Sequence, residues 1–365
     1  MVCNTADRLG IRLCGLAGWA DQEGLAELVH RFSPGVVACQ AEAATELREA
    51  AERPNVLFLT GEAGVERVAA WPEASHVAVT IGGWAGLRPA MAALQVGHRL
   101  LMGCKEALVG AGPLLLEAAE RTGASLAPLD SEMAAAAHLA SLAGGMANVR
   151  ELVLTGSGGP LRGQSPAERA SATFEQVLRH PIWPMGKKIT VDSATLVNKA
   201  LEIVEAAVLF DLPGPSIRVG FDPGARVHAA VRLHNGQTLA FVAPPSMDIP
   251  VLLSLKRPCQ ADFEVLSGRA AEEAISALRR PDAQESRILD FGYRALEQGG
   301  MAPAALVLAD ERAVARYLDG RIPLGAIVEY VAGVMRQPFL RHLPRSIDLL
   351  EAAVVELLDR MPDIP

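Results

Sequence analysis

Residues 180–206, HPIWPMGKKITVDSATLVNKALEIVEA, are the most informative stretch of this chain. From Ser193 onward, apolar residues recur with the spacing of one face of an α-helix, at positions 194, 197, 201, 204 and 208. Asn198, Glu202 and Glu205 fall on the opposite face, with Lys199 beside them. The pattern predicts a helix that begins at Ser193 and has one apolar and one polar face.

The start of this predicted helix has the properties of a phosphate site. Free backbone N–H groups and the helix dipole attract anions there, and Ser193, Asn198 and Lys199 add donors and a positive charge. Glu202 lies one turn further on, about 5–6 Å along the axis. One small phosphorylated sugar would therefore reach both the donors and a metal ion held by Glu202. The alternative is a solvent-exposed helix face, which explains the charges but not the preceding His-Pro-x-Trp segment.

A second polar cluster, Asp130-Ser131-Glu132, directly follows the apolar residues 125–129. Ligands of open parallel sheets bind at the carboxyl ends of strands, and residues two apart in an extended segment share a face. Two carboxylates on one face suit a hard cation such as Mg²⁺ or Mn²⁺. The alternative is that the segment only caps a helix predicted at 133–142.

A glycine-rich turn, TGSGGP at residues 155–160, follows another predicted strand. Such a turn exposes backbone N–H groups that hold anions, and Ser157 adds a hydroxyl donor. An ordinary loop explains the composition better, so the turn alone assigns no function.

The composition of the 365-residue chain indicates a globular protein. Half of the residues are hydrophobic, and 34 Lys and Arg against 42 Asp and Glu give a net charge of −8. The negative charge argues against general binding to nucleic acid or to an anionic membrane. The five cysteines lack metal-ligand spacing and are expected to be free thiols. Neither a signal peptide nor a membrane-spanning stretch is visible, so we expect a cytoplasmic protein.

Short apolar runs alternate with helical patterns through the first 160 residues, which predicts a mostly parallel sheet with helices on both faces. The predicted strands are residues 11–14, 35–39, 55–59, 76–81, 99–102, 125–129 and 152–155, and the predicted helices are residues 24–32, 41–51 and 114–122. We predict an α/β protein with a dinucleotide-binding-like region at 1–130, an α+β catalytic domain at 131–268, a charged linker at 269–285 and a helical domain at 286–365. Ser346 is the predicted N-cap of the last helix.

Taken together, these motifs resemble the 1-deoxy-D-xylulose 5-phosphate reductoisomerase family. The family pattern S-G-G-P is matched at Ser157–Pro160, and H-P-x-W-x-M-G-x-K-I-(S/T)-V-D-S-A-T-x-x-N-K-x-L-E-x-x-E-A is matched at His180–Ala206. The family's D-S-E and K-E are present at Asp130–Glu132 and Lys105–Glu106. The resemblance extends over nearly the whole chain.

The resemblance implies a role for each matched residue. The implied ligands of Mg²⁺ or Mn²⁺ are Asp130, Glu132 and Glu202. The implied holders of the substrate phosphate are Ser157, Ser193, Asn198 and Lys199, with His180 nearby. Ser131 and Lys105 would contact the substrate carbons that bear oxygen, and Trp183 would cover the substrate. Glu106 and Gly186 would lie on the NADPH side. The residues implied in catalysis are Lys105, Glu132, His180 and Trp183.

The implied reaction rearranges a metal-chelated ketose phosphate to a branched aldehyde by retro-aldol and aldol steps. NADPH then reduces this aldehyde, in the methylerythritol phosphate route to isoprenoid precursors. We expect a homodimer acting on a small phosphorylated sugar.

The sequence also departs from the family pattern. The family opens with a strand and a G-S-T-G-S-I-G phosphate loop, whereas Arg8–Gly18 aligns with the second family strand and Met1 with the first helix. Cys104, Val307 and Asp310 stand where the family has Asn, and D-P-G-A at residues 222–225 replaces H-P-Q-S. The metal and phosphate positions are retained while the cofactor side is altered, which predicts an incomplete N-terminal sheet and weak NADPH binding.

Three functions are compatible with this sequence. The first is a reductoisomerase of the family, and the second is a non-reducing, metal-dependent isomerase or aldol-type enzyme acting on a related phosphosugar or phosphonate. The third is a non-catalytic paralogue. The retained carboxylates argue against the third function, because three unneutralised acids around one pocket are costly without a cation.

Overall fold

The computed structural model describes residues 1–19, 21–51, 55–183, 185–255 and 262–364. From the start of the chain to Pro128, helices and strands alternate as predicted. The helices are α1 (Val2–Arg8), α2 (Gln22–Phe32), α3 (Ala44–Ala51), α4 (Gly61–Ala69), α5 (Leu87–Gln95) and α6 (Lys105–Thr122). The strands are β1 (Gly15–Ala17), β2 (Val36–Cys39), β3 (Leu57–Thr60), β4 (His76–Val79), β5 (Arg99–Met102) and β6 (Leu126–Pro128).

These six strands form two sheets of three parallel strands each, β1-β2-β3 and β4-β5-β6. Within the described ranges, no hydrogen-bonded pair joins the two sheets, so β1 and β4 are edge strands. The prediction of an incomplete parallel sheet is confirmed. The strand predicted at 11–14 is displaced to Gly15–Ala17, because Gly15 is the residue that pairs with Val36 at the start of β2.

Helix α6 is twice as long as the helix predicted at 114–122, because it begins at Lys105. Glycines in the first half of α6 lower its helix propensity, so the sequence pattern did not predict this half as helical. They allow close packing instead: a Cβ on Gly110 would lie 2.3 Å from the ring of Trp84. The longer helix places Lys105 in its first turn, at the carboxyl end of β5.

The central part of the chain builds a mixed five-stranded sheet in the order β11-β10-β9-β7-β8. Its strands are β7 (Val149–Gly156), β8 (Ile217–Phe221), β9 (Val227–Leu233), β10 (Thr238–Val242) and β11 (Glu264–Ser267). The helices of this part are α7 (Ser131–Leu142), α8 (Pro166–Ala170), α9 (Phe174–Leu178), α10 (Lys187–Thr195), α11 (Val197–Phe210) and α12 (Asp248–Ser254). Met133 of α7 and Ile203 of α11 are fully buried in the core that lies against the sheet.

The helix predicted to begin at Ser193 is in fact two helices. Leu196 adopts a left-handed backbone conformation, with φ of 65°, and separates α10 from α11. Ser193 therefore lies in the last turn of α10, while Asn198 and Lys199 lie in the first turn of α11. The prediction of the helix start was wrong because the apolar spacing continues across a one-residue break.

Five helices complete the chain: α13 (Gly268–Ser276), α14 (Ala283–Gln298), α15 (Ala302–Leu318), α16 (Leu324–Val334) and α17 (Ile347–Arg360). The linker predicted at 269–285 is largely helical, because α13 buries Ala271 against the five-stranded sheet and leaves Arg269 exposed. Ser346 caps α17 as predicted, since its Oγ accepts the backbone N–H of Leu349 at 3.3 Å. The domain limits given above remain a proposal.

One large apolar core connects α5, α6, α10, α11, α14, α15 and α16. The four described cysteines, Cys3, Cys14, Cys39 and Cys104, are free as predicted, and Cys259 lies outside the described residues. In the described part of the chain, no helix is both long and apolar enough to cross a membrane.

Candidate functional site

Three carboxylates meet where β6 ends and α11 begins. Asp130 is the N-cap of α7, Glu132 lies in the first turn of α7, and Glu202 projects from the second turn of α11. One oxygen from each lies within 4.8 Å of the other two. Capping and clustering both occur, because Oδ1 of Asp130 accepts the N–H of Glu132 at 3.3 Å while its Oδ2 faces into the cluster. We call these three residues the acid triad.

Two buried lysines form ion pairs with the acid triad. The Nζ of Lys105 lies 2.5 Å from Oδ2 of Asp130 and 2.9 Å from Oε1 of Glu202. The Nζ of Lys199 lies 2.6 Å from Oε1 of Glu132, and it also binds Glu202 and the carbonyl oxygen of Thr155. The lysine side chains are less than a tenth exposed, so these ion pairs are shielded from solvent and the carboxylates are held in fixed positions.

The pKa values of the acids show how crowded the negative charge is. Burial raises the pKa of Asp130, but the charges of Lys105 and Lys199 and the hydrogen bonds with Lys105 and Glu132 together outweigh burial and lower this pKa to about 2. Burial and the charge of Glu202 raise the pKa of Glu132 to about 8. Burial and the nearby carboxylates raise the pKa of Glu205, one turn beyond Glu202, well above its ordinary value. A divalent cation bound to the triad would relieve this repulsion.

The glycine-rich turn lies against the end of α10. The Oγ of Ser157 accepts the N–H of Gly159 at 3.2 Å and lies 3.4 Å from Nε2 of His180. Gly159 has a φ of +76°, and a Cβ there would lie 2.3 Å from the carbonyl oxygen of Ser193. Only glycine fits both the conformation and the space. The turn that carries Ser157 therefore packs, through Gly159, directly against Ser193.

The first turn of α11 completes this group of donors. The side-chain N–H of Asn198 donates to Oε1 of Glu202 at 2.5 Å, and among the described atoms its buried Oδ1 has no hydrogen-bond partner. Gly156 makes room for Lys199, since a Cβ on Gly156 would lie 2.9 Å from the lysine Cε. Glu202 and Lys199 are buried, so the alternative of a solvent-exposed helix face is wrong.

His180 and Trp183 form one wall of the site. The Nδ1 of His180 accepts the backbone N–H groups of Ile182 and Trp183 at 3.2 and 2.9 Å, which leaves Nε2 to face Ser157. Burial, helped by the charge of Arg162, lowers the pKa of His180 to about 4, so the imidazole is neutral at neutral pH.

Sequence reasoning assigned no role to His228, which the structure places beside this wall. Its ring centroid lies 6.3 Å from that of Trp183, and its Nε2 is buried without a hydrogen-bond partner among the described atoms. The available signal was a histidine inside a largely apolar strand, because burying an imidazole without a hydrogen-bond partner is costly.

Glu106 and Gly186, the residues expected on the cofactor side, lie next to a second buried cluster. Gly186 is the N-cap of α10, and Oε1 of Glu106 accepts a hydrogen bond from Nζ of Lys188 at 2.8 Å. Lys188 also contacts Asp192 and Asp310. This group could not be predicted from the sequence, because its members lie on three different helices.

The comparisons with protein families cover most of the chain. Residues 2–112 match the profile described as 1-deoxy-D-xylulose 5-phosphate reductoisomerase. Residues 126–210 match the profile of the 1-deoxy-D-xylulose 5-phosphate reductoisomerase C-terminal domain, and residues 242–356 match that of the DXP reductoisomerase C-terminal domain.

Similar proteins carry the same description. The 1-deoxy-D-xylulose 5-phosphate reductoisomerase of Symbiobacterium thermophilum is 40% identical over 336 residues, which are 89% of this chain and 84% of that protein. That of Ruminiclostridium cellulolyticum is 35% identical over 349 residues, covering 95% of this chain and 91% of that protein.

Two solved structures are similar over almost their full length. A crystal structure of DOX-P reductoisomerase in complex with NADPH, fosmidomycin and magnesium has a TM-score of 0.86 and 27% identity, covering 99% of this chain and 93% of the other. The Zymomonas mobilis enzyme in complex with NADPH has a TM-score of 0.83 and 27% identity, covering 98% and 93%.

Proposed function

Because the chain belongs to the 1-deoxy-D-xylulose 5-phosphate reductoisomerase family, we propose that it converts 1-deoxy-D-xylulose 5-phosphate into 2-C-methyl-D-erythritol 4-phosphate with NADPH and a divalent metal ion. The observation that carries this proposal is the acid triad, whose oxygens lie within 4.8 Å of one another and share Lys199 with the phosphate donors. Lys199 therefore contacts the metal ligands and is itself one of the phosphate donors.

The residues present fit a Mg²⁺ or Mn²⁺ ion. All three triad ligands are carboxylate oxygens, which hard divalent cations prefer, and their excess negative charge over the two lysines calls for a cation. Asp130, Glu132 and Glu202 would hold the ion, which supplies Lewis-acid polarisation of the substrate carbonyl and hydroxyl oxygens.

The other residues of the site act on the substrate. Ser157, Ser193, Asn198 and Lys199 would bind the phosphate, and the neutral His180 would add a hydrogen bond beside Ser157. Lys105 and Ser131 lie next to the triad, where they would orient the oxygens at the other end of the sugar. Trp183 would cover the substrate and exclude water from it.

The architecture of the N-terminal region suits NADPH, the proposed hydride donor. Both three-stranded sheets are parallel, and dinucleotides bind at the carboxyl ends of such strands. Glu106 follows β5 and is linked through Lys188 to α10, whose N-cap is Gly186. We place both residues next to the cofactor.

The test is a spectrophotometric assay of NADPH consumption with 1-deoxy-D-xylulose 5-phosphate and Mg²⁺ or Mn²⁺, with the product identified by NMR. We expect NADPH to be consumed only when sugar phosphate and metal are both present. Rearrangement of the sugar without NADPH consumption would instead establish the non-reducing isomerase, and ligand binding without turnover would establish the non-catalytic paralogue. We also propose that the protein is a homodimer and is located in the cytoplasm. Light scattering tests the dimer.

A further inference from the structure

The second buried cluster is centred on one ammonium. The Nζ of Lys188 lies 2.8 Å from Oε1 of Glu106, 2.8 Å from Oδ2 of Asp192 and 2.9 Å from Oδ2 of Asp310. The two aspartates are 1% and 0% exposed, and Glu106 is 8% exposed. We call these four residues the Lys188 cluster; it connects the first turn of α6 with α10 and α15.

The charges of the Lys188 cluster do not balance. Three carboxyls face one ammonium, so full ionisation would leave two negative charges uncompensated in the interior. Glu311 on α15, whose Oε1 accepts the N–H of Trp84 at 3.0 Å, adds another acid nearby, and the Cys104 thiol and the Lys105 ammonium are further titratable groups close to Glu106. Burying an unpaired carboxylate costs several kcal/mol, so such groups retain a proton instead.

Hydrogen bonding indicates which carboxyls hold the proton. Glu106 accepts a well-formed hydrogen bond from Lys188. By contrast, Oδ1 of Asp192 and both oxygens of Asp310 accept no hydrogen bond from the described residues, although both side chains contact the same ammonium. Two neighbouring carboxyls stabilise each other only when one of them is protonated and donates its O–H to the other.

We propose that Asp310 and Asp192 share one proton in the folded protein, and that Asp310 is a positioning residue which, as a neutral hydrogen-bond donor, keeps Lys188 paired with Glu106. A protonated carboxyl offers the same donor as the Asn that the family pattern has at this position. The pKa values agree: burial raises that of Asp310, and burial together with the charge of Asp310 raises that of Asp192 well above its ordinary value. At Glu106 burial raises the pKa, but the charge and hydrogen bond of Lys188, a backbone hydrogen bond and the charge of Lys105 together outweigh burial and lower it.

The proton matters because α10 carries residues of the candidate site at both ends. Gly186 is its N-cap, and Ser193 lies in its last turn against the glycine-rich turn. Loss of the shared proton would place two like charges between α10 and α15 and draw Lys188 away from Glu106. The statement that Glu106 and Gly186 face NADPH rests on the proposed function, whereas the shared proton does not.

The first test compares the pH dependence of stability in the wild type and in Asp310→Asn. An acid whose pKa is raised by folding stabilises the protein below its unfolded pKa, and this contribution is lost as pH rises towards the folded pKa. As pH rises above the ordinary titration range of an aspartate, the wild type should therefore lose free energy of unfolding relative to Asp310→Asn. Asp319→Asn, an exposed change just after α15, should follow the wild type. Parallel curves for Asp310→Asn and the wild type would overturn the shared proton.

The second test concerns positioning. Asp310→Val has a similar volume but no donor, and we expect a several-fold higher KM for NADPH with little change in the KM for the sugar phosphate, whereas Asp310→Asn should restore the wild-type KM at neutral pH. Equal NADPH KM values for both variants and the wild type would overturn the positioning role. If Asp310→Val does not fold, Asp192→Val serves in its place with the same expected result. Absence of any turnover in the wild type would refute the proposed function, while the stability comparison would still decide the shared proton.

Discussion

Lys199 contacts both halves of the candidate site. Its ammonium binds Glu132 and Glu202, while its backbone lies in the first turn of α11 beside Asn198. A positive charge near a helix N-terminus attracts phosphate, and Lys199 provides one. A change at Lys199 is therefore expected to affect both metal binding and phosphate binding.

Lys199→Ala should weaken the binding of phosphorylated ligands and of phosphonates by about 1.5–3 kcal/mol, because a charge-assisted contact is lost. Calorimetry at saturating Mg²⁺ measures this effect apart from the change at the triad. Lys187→Ala, at an exposed lysine at the start of α10, is the control and should bind normally. Equal affinities of Lys199→Ala and wild type would show that Lys199 does not hold the phosphate.

Glu202→Gln should remove one anionic ligand and lower the affinity for Mn²⁺ by at least about tenfold, since even changes around a ligand cost that much. Most of the activity should be lost while the fold is kept. The matched control is Glu205→Gln, one turn further along α11, because Glu205 is buried on the same helix but lies outside the acid triad. Electron paramagnetic resonance of Mn²⁺ measures the affinity, and normal turnover of Glu202→Gln at low Mn²⁺ would contradict the metal assignment.

At the scale of elements, the glycine-rich turn is rigidly placed against α10. Gly159→Ala would put a Cβ 2.3 Å from the carbonyl oxygen of Ser193 in a left-handed backbone conformation. We expect loss of phosphonate affinity and of thermal stability. Gly163 has a φ of +79° but open space around it, so Gly163→Ala is a control that carries the backbone strain without the clash. Similar thermal shifts and affinities for the two variants would show that contact with Ser193 is unimportant.

The sequence predicted those elements whose residue pattern involves only positions close together in the chain. The polar face of α11 and the position of Asp130 after a strand could both be derived from spacing. The break at Leu196 could not, since a single left-handed residue leaves the apolar spacing unchanged. The same limit applies to the Lys188 cluster, whose partners Glu106 and Asp310 are 204 positions apart in the sequence and meet only through packing.

At the scale of the whole molecule, the N-terminal region differs from the rest in its sheet pairing. β1 pairs only with β2, and β4 only with β5, within the described residues. Amides of β1 and β4 should therefore exchange with solvent faster than those of the central strands β2 and β5. Hydrogen exchange followed by mass spectrometry measures this, with β7, paired on both sides, as the protected reference. Uniform protection across all these strands would show that β1 and β4 have further partners.

The altered cofactor side predicts weak NADPH binding at the same scale. Titration of NADPH fluorescence should give a clearly poorer affinity than the Symbiobacterium thermophilum relative shows under identical conditions. The relative is the natural control because it is 40% identical over 336 residues. An equal affinity would mean that the departures at Cys104 and Val307 do not affect the cofactor.

Lys105 and Lys199 provide the acid triad with counter-ions from within the chain. Loading of the site would then be an exchange, in which Lys199 releases Glu132 and Glu202 and the acid triad holds the cation. The released ammonium would stay attached to α11 beside Asn198, where it would be available to an incoming phosphate. Metal uptake and phosphate binding would then depend on one movement of the Lys199 side chain, and by reciprocity each would tighten the other.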